Sequence, residues 1–260
     1  MDKHRPRKRF GQNFLTDRNI IERIASAIRP SADQHLLEIG PGQAALTEAL
    51  LPYCGKLTAV EIDRDLAATL RQRFAAETRF ELIEADALKV DFATLGDAPL
   101  RVVGNLPYNI STPLVFHLLQ SRARIIDFHI MLQREVAERM AAQPGSKTYG
   151  RLSVAVSLAA RADILFDVPP GAFFPPPKVR SSIIRLTPRD VELPWRALDR
   201  VLQAAFSARR KTLRNALGKL FSAEQLQAHG LDPQLRPENL SPDQFLALAT
   251  TLHQASAEAG

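Results

Sequence analysis

Between residues 35 and about 140 the sequence alternates short apolar runs with stretches of helical spacing, the pattern of a parallel sheet joined by crossover helices. Candidate strands are His35–Ile39, Leu57–Ile62, Phe80–Ala85, Leu100–Val103 and Ile125–Leu132. Ala44–Leu51, Asp65–Ala76, Thr112–Leu119 and Glu135–Ala142 read as the helices. Ser111 and Thr112 ahead of Pro113 suit a helix start, because a proline in the first turn has no amide to leave unpaired.

The alternation then stops. Val154–Val168 is apolar and ends on Pro169-Pro170, and Val179–Leu186 is rich in β-branched residues. Two strands joined by the stiff segment Pro169–Pro177 are expected to form an antiparallel pair closing the sheet's edge, where prolines are tolerated. From Pro194 the apolar spacing is helical: Leu198, Val201, Leu202 and Ala205, then Leu213, Leu217 and Leu220, then Phe245, Leu246, Leu248 and Ala249. The expectation is an α/β protein with a seven-stranded, mostly parallel sheet and an antiparallel edge pair over residues 1–188. A small all-α domain follows over 189–260, with Pro188–Pro194 as the linker.

Composition narrows the partners. The formal charge of +6 and pI near 9.8 suit an acidic partner, and the charge is clustered. Lys3, Arg5, Arg7, Lys8 and Arg9 crowd the first ten residues against Asp2 alone; Arg209, Arg210, Lys211, Arg214 and Lys219 follow with no acid between Phe206 and Leu220. Two such clusters bracketing one catalytic-looking core suit a phosphate-binding rim. Cys54 is the only cysteine, which excludes an intramolecular disulfide and a thiolate metal cage, and no metal site is expected. The basic amino terminus lacks an apolar stretch after it, and no run of ~18 apolar residues occurs, so no membrane association and a cytoplasmic location are expected.

Glu38-Ile39-Gly40-Pro41-Gly42 follows a strand and opens a helix. Glycines there admit a ligand close to backbone amides, and the helix amino terminus adds a positive end. Glu61 closes the second strand, where a carboxylate can accept both ribose hydroxyls, and Asp86 holds the corresponding place after the third. Gly40-Pro41-Gly42-Gln43-Ala44-Ala45 equally matches a dinucleotide fingerprint, so the loop alone leaves methyltransferase and dehydrogenase both open.

Asn105-Leu106-Pro107-Tyr108, directly after the fourth strand, decides between them. An adenine amino group is a poor nucleophile because its lone pair is delocalised into the ring. Acceptors on both of its N–H bonds would draw the nitrogen toward tetrahedral geometry; the Asn105 side-chain oxygen and the Leu106 carbonyl can supply them. Pro107 fixes φ and biases Leu106 to an extended conformation, aiming that carbonyl. Tyr108 offers a face for the base. No strong general base is needed, since in-line alignment with a sulfonium methyl carries much of the barrier reduction.

Over nearly its whole length the chain resembles the small-subunit (16S) ribosomal RNA adenine N6-dimethyltransferases. The resemblance is carried by Lys8-Arg9-Phe10-Gly11-Gln12-Asn13-Phe14-Leu15, by Glu38 to Thr47 with Ala44 where many members have glycine, by Asn105 to Pro113, and by Phe173-Phe174-Pro175-Pro176-Pro177-Lys178-Val179. It implies a Rossmann-like class I methyltransferase fold that uses S-adenosylmethionine. By the same resemblance Asn13 and Leu15 wrap the cofactor's methionine end, Gly40, Gly42 and Asn105 contact it, Glu61 holds its ribose and Asp86 its adenine. Phe173 would cover the face of the target base opposite Tyr108. Phe206 to Leu217 resembles the family's basic helix, carrying Arg209, Arg210, Lys211 and Arg214 onto RNA.

Related large-subunit RNA methyltransferases usually carry Ile and Phe at the places of Leu106 and Tyr108 and lack that helix, which favours the small-subunit enzyme. Its targets would be two adjacent adenines near the 3′ end, met by a monomer on a pre-30S or 30S particle. The alternatives are a non-catalytic RNA-binding assembly factor and a large-subunit adenine methyltransferase.

Overall fold

The computed structural model describes residues 12–96, 99–207 and 210–258; the amino-terminal basic cluster, Lys8 to Gly11 of the opening motif, and Arg209 lie outside the described residues. The chain divides into two compact units. One contains the residues up to Ala137 with Ala162–Pro188, the other Glu138–Arg161 with the residues from Arg189 onward. The expected single cut at 188/189 does not include this interruption: residues 138–161 group with the C-terminal helices.

The elements run β1 (Phe14–Leu15), α1 (Arg18–Ile28), β2 (His35–Ile39), α2 (Ala45–Leu50), β3 (Lys56–Glu61), α3 (Arg64–Arg73) and β4 (Phe80–Glu84). They continue with β5 (Leu100–Asn105), α4 (Ser111–Gln120), β6 (Ile125–Gln133), α5 (Arg134–Met140), α6 (Arg151–Ala159), β7 (Ala160–Val168), β8 (Phe173–Phe174) and β9 (Ser181–Pro188). The large sheet has the order β4-β3-β2-β5-β6-β9-β7. β2 runs parallel to β3 and β5, β3 to β4 and β5 to β6, while β9 is antiparallel to β6. Helices cover both faces of such a sheet, so its central strands read as nearly unbroken apolar runs. Leu36, Leu37, Ile39, Leu57, Ala59, Val60, Val102 and Val103 are all buried.

The chain moves outward from β2 through β3 to β4, then returns to β2's other side with β5. This reversal opens a crevice beyond the carboxyl ends of β2 and β5, where ligands of open α/β sheets bind. At the opposite end, Arg101 of β5 faces Asp127 of β6. Two part-buried hydrogen bonds of 3.0 and 2.8 Å join them in a bidentate pair, and Arg101 also donates to Gln34. Burial would raise the Asp127 pKa, but the His129 ring, 3.5 Å away, and the Arg101 guanidinium carry it down to about 2.

The expected strand over Val154–Val168 is not formed as one element: α6 runs to Ala159 and β7 begins at Ala160. Leu152 to Ala159 is buried on almost every side, and a helix apolar all round carries no periodic stripe to distinguish it from a strand. Ser153 starts this helix, its hydroxyl accepting the Gly150 amide at 3.0 Å and donating to Arg139 O.

In the second unit α6 is joined by α7 (Trp195–Ala205), α8 (Leu213–Leu217), α9 (Ala223–Ala228) and α10 (Pro242–Glu258). Leu198, Val201, Leu202, Ala205, Phe245, Leu248 and Ala249 are buried, as their spacing requires. The expected basic helix over Phe206–Leu217 is not continuous. α8 starts only at Leu213, where the Leu213 and Arg214 amides donate to the carbonyls of Leu235 and Pro233, tertiary bonds that replace a cap.

Candidate active site

A cavity of about 230 Å³ lies at the crevice in the first unit, lined by the loops that follow β2, β3, β4 and β5 and by Gln12 to Phe14. Gly40 and Gly42 form its floor in left-handed conformations, φ 67° and 56°, that glycine adopts without strain. A Cβ at Gly42 would meet the Phe14 ring at 3.1 Å, so the glycine also makes room for the segment laid across the loop. Ala44 shares the left-handed geometry, φ 70°, and is fully buried.

Glu61 organises the next wall. Its Oε2 accepts the Gly42 amide at 3.2 Å and its Oε1 the Asp63 amide at 2.9 Å, tying the loops after β2 and β3 together. Burial raises its pKa, against the lowering effect of those amides. Asp63 caps α3 and accepts from Gln12 Nε2 at 3.1 Å. Asp86 lines the cavity beyond β4, with Oδ1 accepting the Leu88 amide at 3.0 Å; Ile62, Ala87 and Leu88 supply apolar surface beside it. Beneath the glycine loop, Glu38 is fully buried and accepts the Thr47 hydroxyl at 2.6 Å; burial raises its pKa to about 7, aided by the charge of Glu61.

Asn105 comes next to this loop because β5 approaches β2 closely at Gly104. A Cβ there would lie 2.4 Å from Ile39 O, a contact only glycine escapes. The Asn105 Nδ2 donates to the backbone carbonyl of Asn13 at 2.8 Å. With the donor end of the amide so engaged, Oδ1 is the atom left to accept from a ligand. The Leu106 amide donates to Met131 O at 3.0 Å, anchoring the turn to β6. Tyr108 is held by a 2.5 Å hydrogen bond between its hydroxyl and Ser181 Oγ, which fixes the ring at the cavity wall; burial raises its pKa, the Ser181 bond opposing.

Gly40, Gly42, Glu61, Asp86, Asn13 and Asn105 to Tyr108 are thus brought to one cavity. Two expected residues are placed elsewhere. Leu15 is buried in the core and borders only a small recess beside the cavity. Phe173 is 3% exposed and packs in that same core, away from the cavity lining. The cause is the two-residue alternation of a strand: β1 pairs with β8, so Phe173 lies opposite Leu15, while Phe174, 63% exposed, lies opposite Phe14. Arg210, Lys211 and Arg214 are exposed in the second unit. Ser181 and Gly104 escaped the sequence reading. Ser181 is 73 residues from Tyr108 with no motif to link them, whereas the glycine preceding Asn105 in a strand was a readable sign of close backbone approach.

A family model for ribosomal RNA adenine dimethylases matches residues 3–254. The chain is 55% identical over 258 residues to the ribosomal RNA small subunit methyltransferase A of Pseudomonas syringae pv. tomato, covering 96% of each. It is 54% identical over 259 residues to the protein of that name from Pseudomonas aeruginosa, covering 96% of this chain and 95% of the other. Among solved structures it is similar to a dimethyladenosine transferase from Plasmodium falciparum, with 28% identity, a TM-score of 0.79 and coverage of 94% and 98%. The 23S rRNA methyltransferase ErmE aligns with 26% identity, a TM-score of 0.69 and coverage of 92% and 99%. With its doubly wound sheet and the Asn-Leu-Pro-Tyr turn at the crevice, this chain belongs to the ribosomal RNA adenine dimethylase family.

Proposed function

We propose that the protein dimethylates N6 of two adjacent adenines near the 3′ end of small-subunit (16S) ribosomal RNA, using S-adenosylmethionine. The observation that carries the reading is the Asn105 amide, whose Nδ2 is engaged by Asn13 O and whose Oδ1 is thereby reserved as an acceptor in the cavity. The residues present suit the cofactor. Two left-handed glycines open the backbone to a ligand, Glu61 offers a carboxylate to a ribose diol, and Ile62, Ala87 and Leu88 offer apolar surface to a purine beside Asp86. The bound cofactor would supply an electrophilic methyl on a positively charged sulfonium.

The remaining chemistry belongs to the chain. Asn105 Oδ1 and the Leu106 carbonyl accept the two amine hydrogens, drawing the nitrogen toward a tetrahedral form. Tyr108, braced by Ser181, fixes the plane of the base. After one methylation the amine keeps a single hydrogen, so one acceptor suffices to orient it for the second transfer. A base in a duplex cannot reach such a cavity, so the target is an exposed loop whose nucleotide turns out of the stack. Arg210, Lys211 and Arg214, with Arg209, would contact RNA phosphates from the second unit. We place this activity in the cytoplasm, on a pre-30S or 30S particle, with the protein acting as a monomer; no described helix is long and apolar enough to cross a membrane.

Mass spectrometry of small-subunit RNA, after incubation of unmethylated particles with protein and S-adenosylmethionine, tests the reading. Two adjacent adenines should each gain two methyl groups. No gain on adenine would leave a non-catalytic assembly factor, and gain on large-subunit RNA alone would reassign the substrate.

A further inference from the structure

One charged cluster lies beside the wall that carries Tyr108. β6 and β9 pair so that Gln133 is opposite Ser181, the residue that holds the Tyr108 hydroxyl. The residue after Gln133 and the one before Ser181 are both arginines, and the Arg134 amide donates to the Arg180 carbonyl at 3.0 Å. Their guanidinium groups converge on one carboxylate oxygen: Asp167 Oδ2 lies 2.9 Å from Arg134 Nη1 and 4.0 Å from Arg180 Nη1. The other oxygen, Oδ1, accepts the Ser182 hydroxyl at 2.7 Å. The arginine side chains are 48% and 60% exposed.

Asp167 accepts from one guanidinium and lies beside the other, so it orders both. Planar donors ordered in advance lose less entropy on meeting an anion, and a guanidinium fits the oxygens of a phosphate in pairs. A base drawn into the cavity leaves its own flanking phosphates at the rim, close to the ring on which it rests. We infer that Arg134 and Arg180, positioned by Asp167, hold a phosphodiester adjoining the nucleotide to be methylated. This rests on the RNA methyltransferase reading and adds to it a contact in the catalytic unit, separate from the basic residues of the helical one.

The test uses unmethylated small-subunit particles with Arg134→Gln, Arg180→Gln and the double variant. Particle affinity should fall roughly tenfold for each substitution, and the double variant should show a shallower salt dependence. S-adenosylmethionine affinity should stay within about twofold of the parent, and Arg→Lys replacements should recover most of the salt dependence. Particles reconstituted with one neutral methylphosphonate beside the target adenosine identify the anion. The parent should lose roughly tenfold in affinity for them, and the double variant should be indifferent.

Unchanged particle affinity in the double variant would overturn the inference. So would a methylphosphonate penalty equal in parent and double variant, which would assign the arginines to a ribosomal protein instead. Binding is read independently of turnover. A parent that binds particles yet methylates no adenine therefore sinks the enzymatic reading and leaves the arginine result interpretable.

Discussion

Replacing Glu38 by glutamine asks whether the carboxyl beneath the glycine loop is held close to neutrality. Glu38 is 1% exposed, and burial moves its pKa from 4.5 to about 7, with Thr47 donating to it and Glu61 repelling its charge. The folded protein therefore keeps a proton that the unfolded chain releases. This contribution to stability is complete below about pH 4.5 and is lost as pH rises through about 7. At about 1.36 kcal/mol per pH unit, the interval is worth on the order of 3 kcal/mol once both states are ionised. Glutamine preserves an acceptor for Thr47 and has no proton to lose. The stability of Glu38→Gln relative to the parent should therefore improve by roughly 2 to 3 kcal/mol between about pH 5 and about pH 8. Urea unfolding of cofactor-free protein over that range measures it. Circular dichroism is the suitable signal, because Trp195, the single tryptophan, belongs to the other unit. A difference that stays constant with pH would refute the reasoning, since it would report packing rather than ionisation.

Asn105→Ala should lower kcat by roughly 10²- to 10³-fold while calorimetry shows S-adenosylmethionine affinity changed only a few-fold; equal losses would contradict an acceptor role. Ala44→Gly should raise thermal stability by about 1 kcal/mol, because the left-handed φ of 70° strains any residue with a Cβ; a fall in Tm would mean the buried methyl matters more. Replacing Arg210, Lys211 and Arg214 together by glutamine should weaken RNA binding and flatten its salt dependence, with the fold retained by circular dichroism.

The parallel half of the fold was legible because buried crossover strands write themselves as short apolar runs; His35–Ile39 has the same bounds in sequence and structure. Helix α1 carries a legible mark of its own, Asp17 capping an amphipathic stretch. The Val154–Val168 run misled because neither a helix nor a strand that is buried all round shows periodicity, and β-branched Val154 and Val156 tilted it toward a strand. At the site, the glycine loop, Glu61, Asp86 and Asn105 to Tyr108 were readable because each sits at a strand end, where chain order determines position. The burial of Phe173 was not legible, for a different reason. A one-residue step along β8 exchanges core for solvent, and the phase of a two-residue strand is set by its pairing with Phe14 and Leu15, far away in the chain.

The contact between Asn13 and Asn105 has a further consequence. A primary amide has a correct and an inverted orientation of nearly identical shape, and inversion of Asn105 would set NH2 against NH2 at the target base. The Asn13 carbonyl distinguishes the two, because inversion would oppose two oxygens at 2.8 Å. The polarity of the reacting group is thus keyed by main chain, not by a side chain. Substitution at position 13 that preserves the path of the segment retains the key, whereas a shift of that segment by even one residue removes it, though every side chain lining the cavity is unchanged.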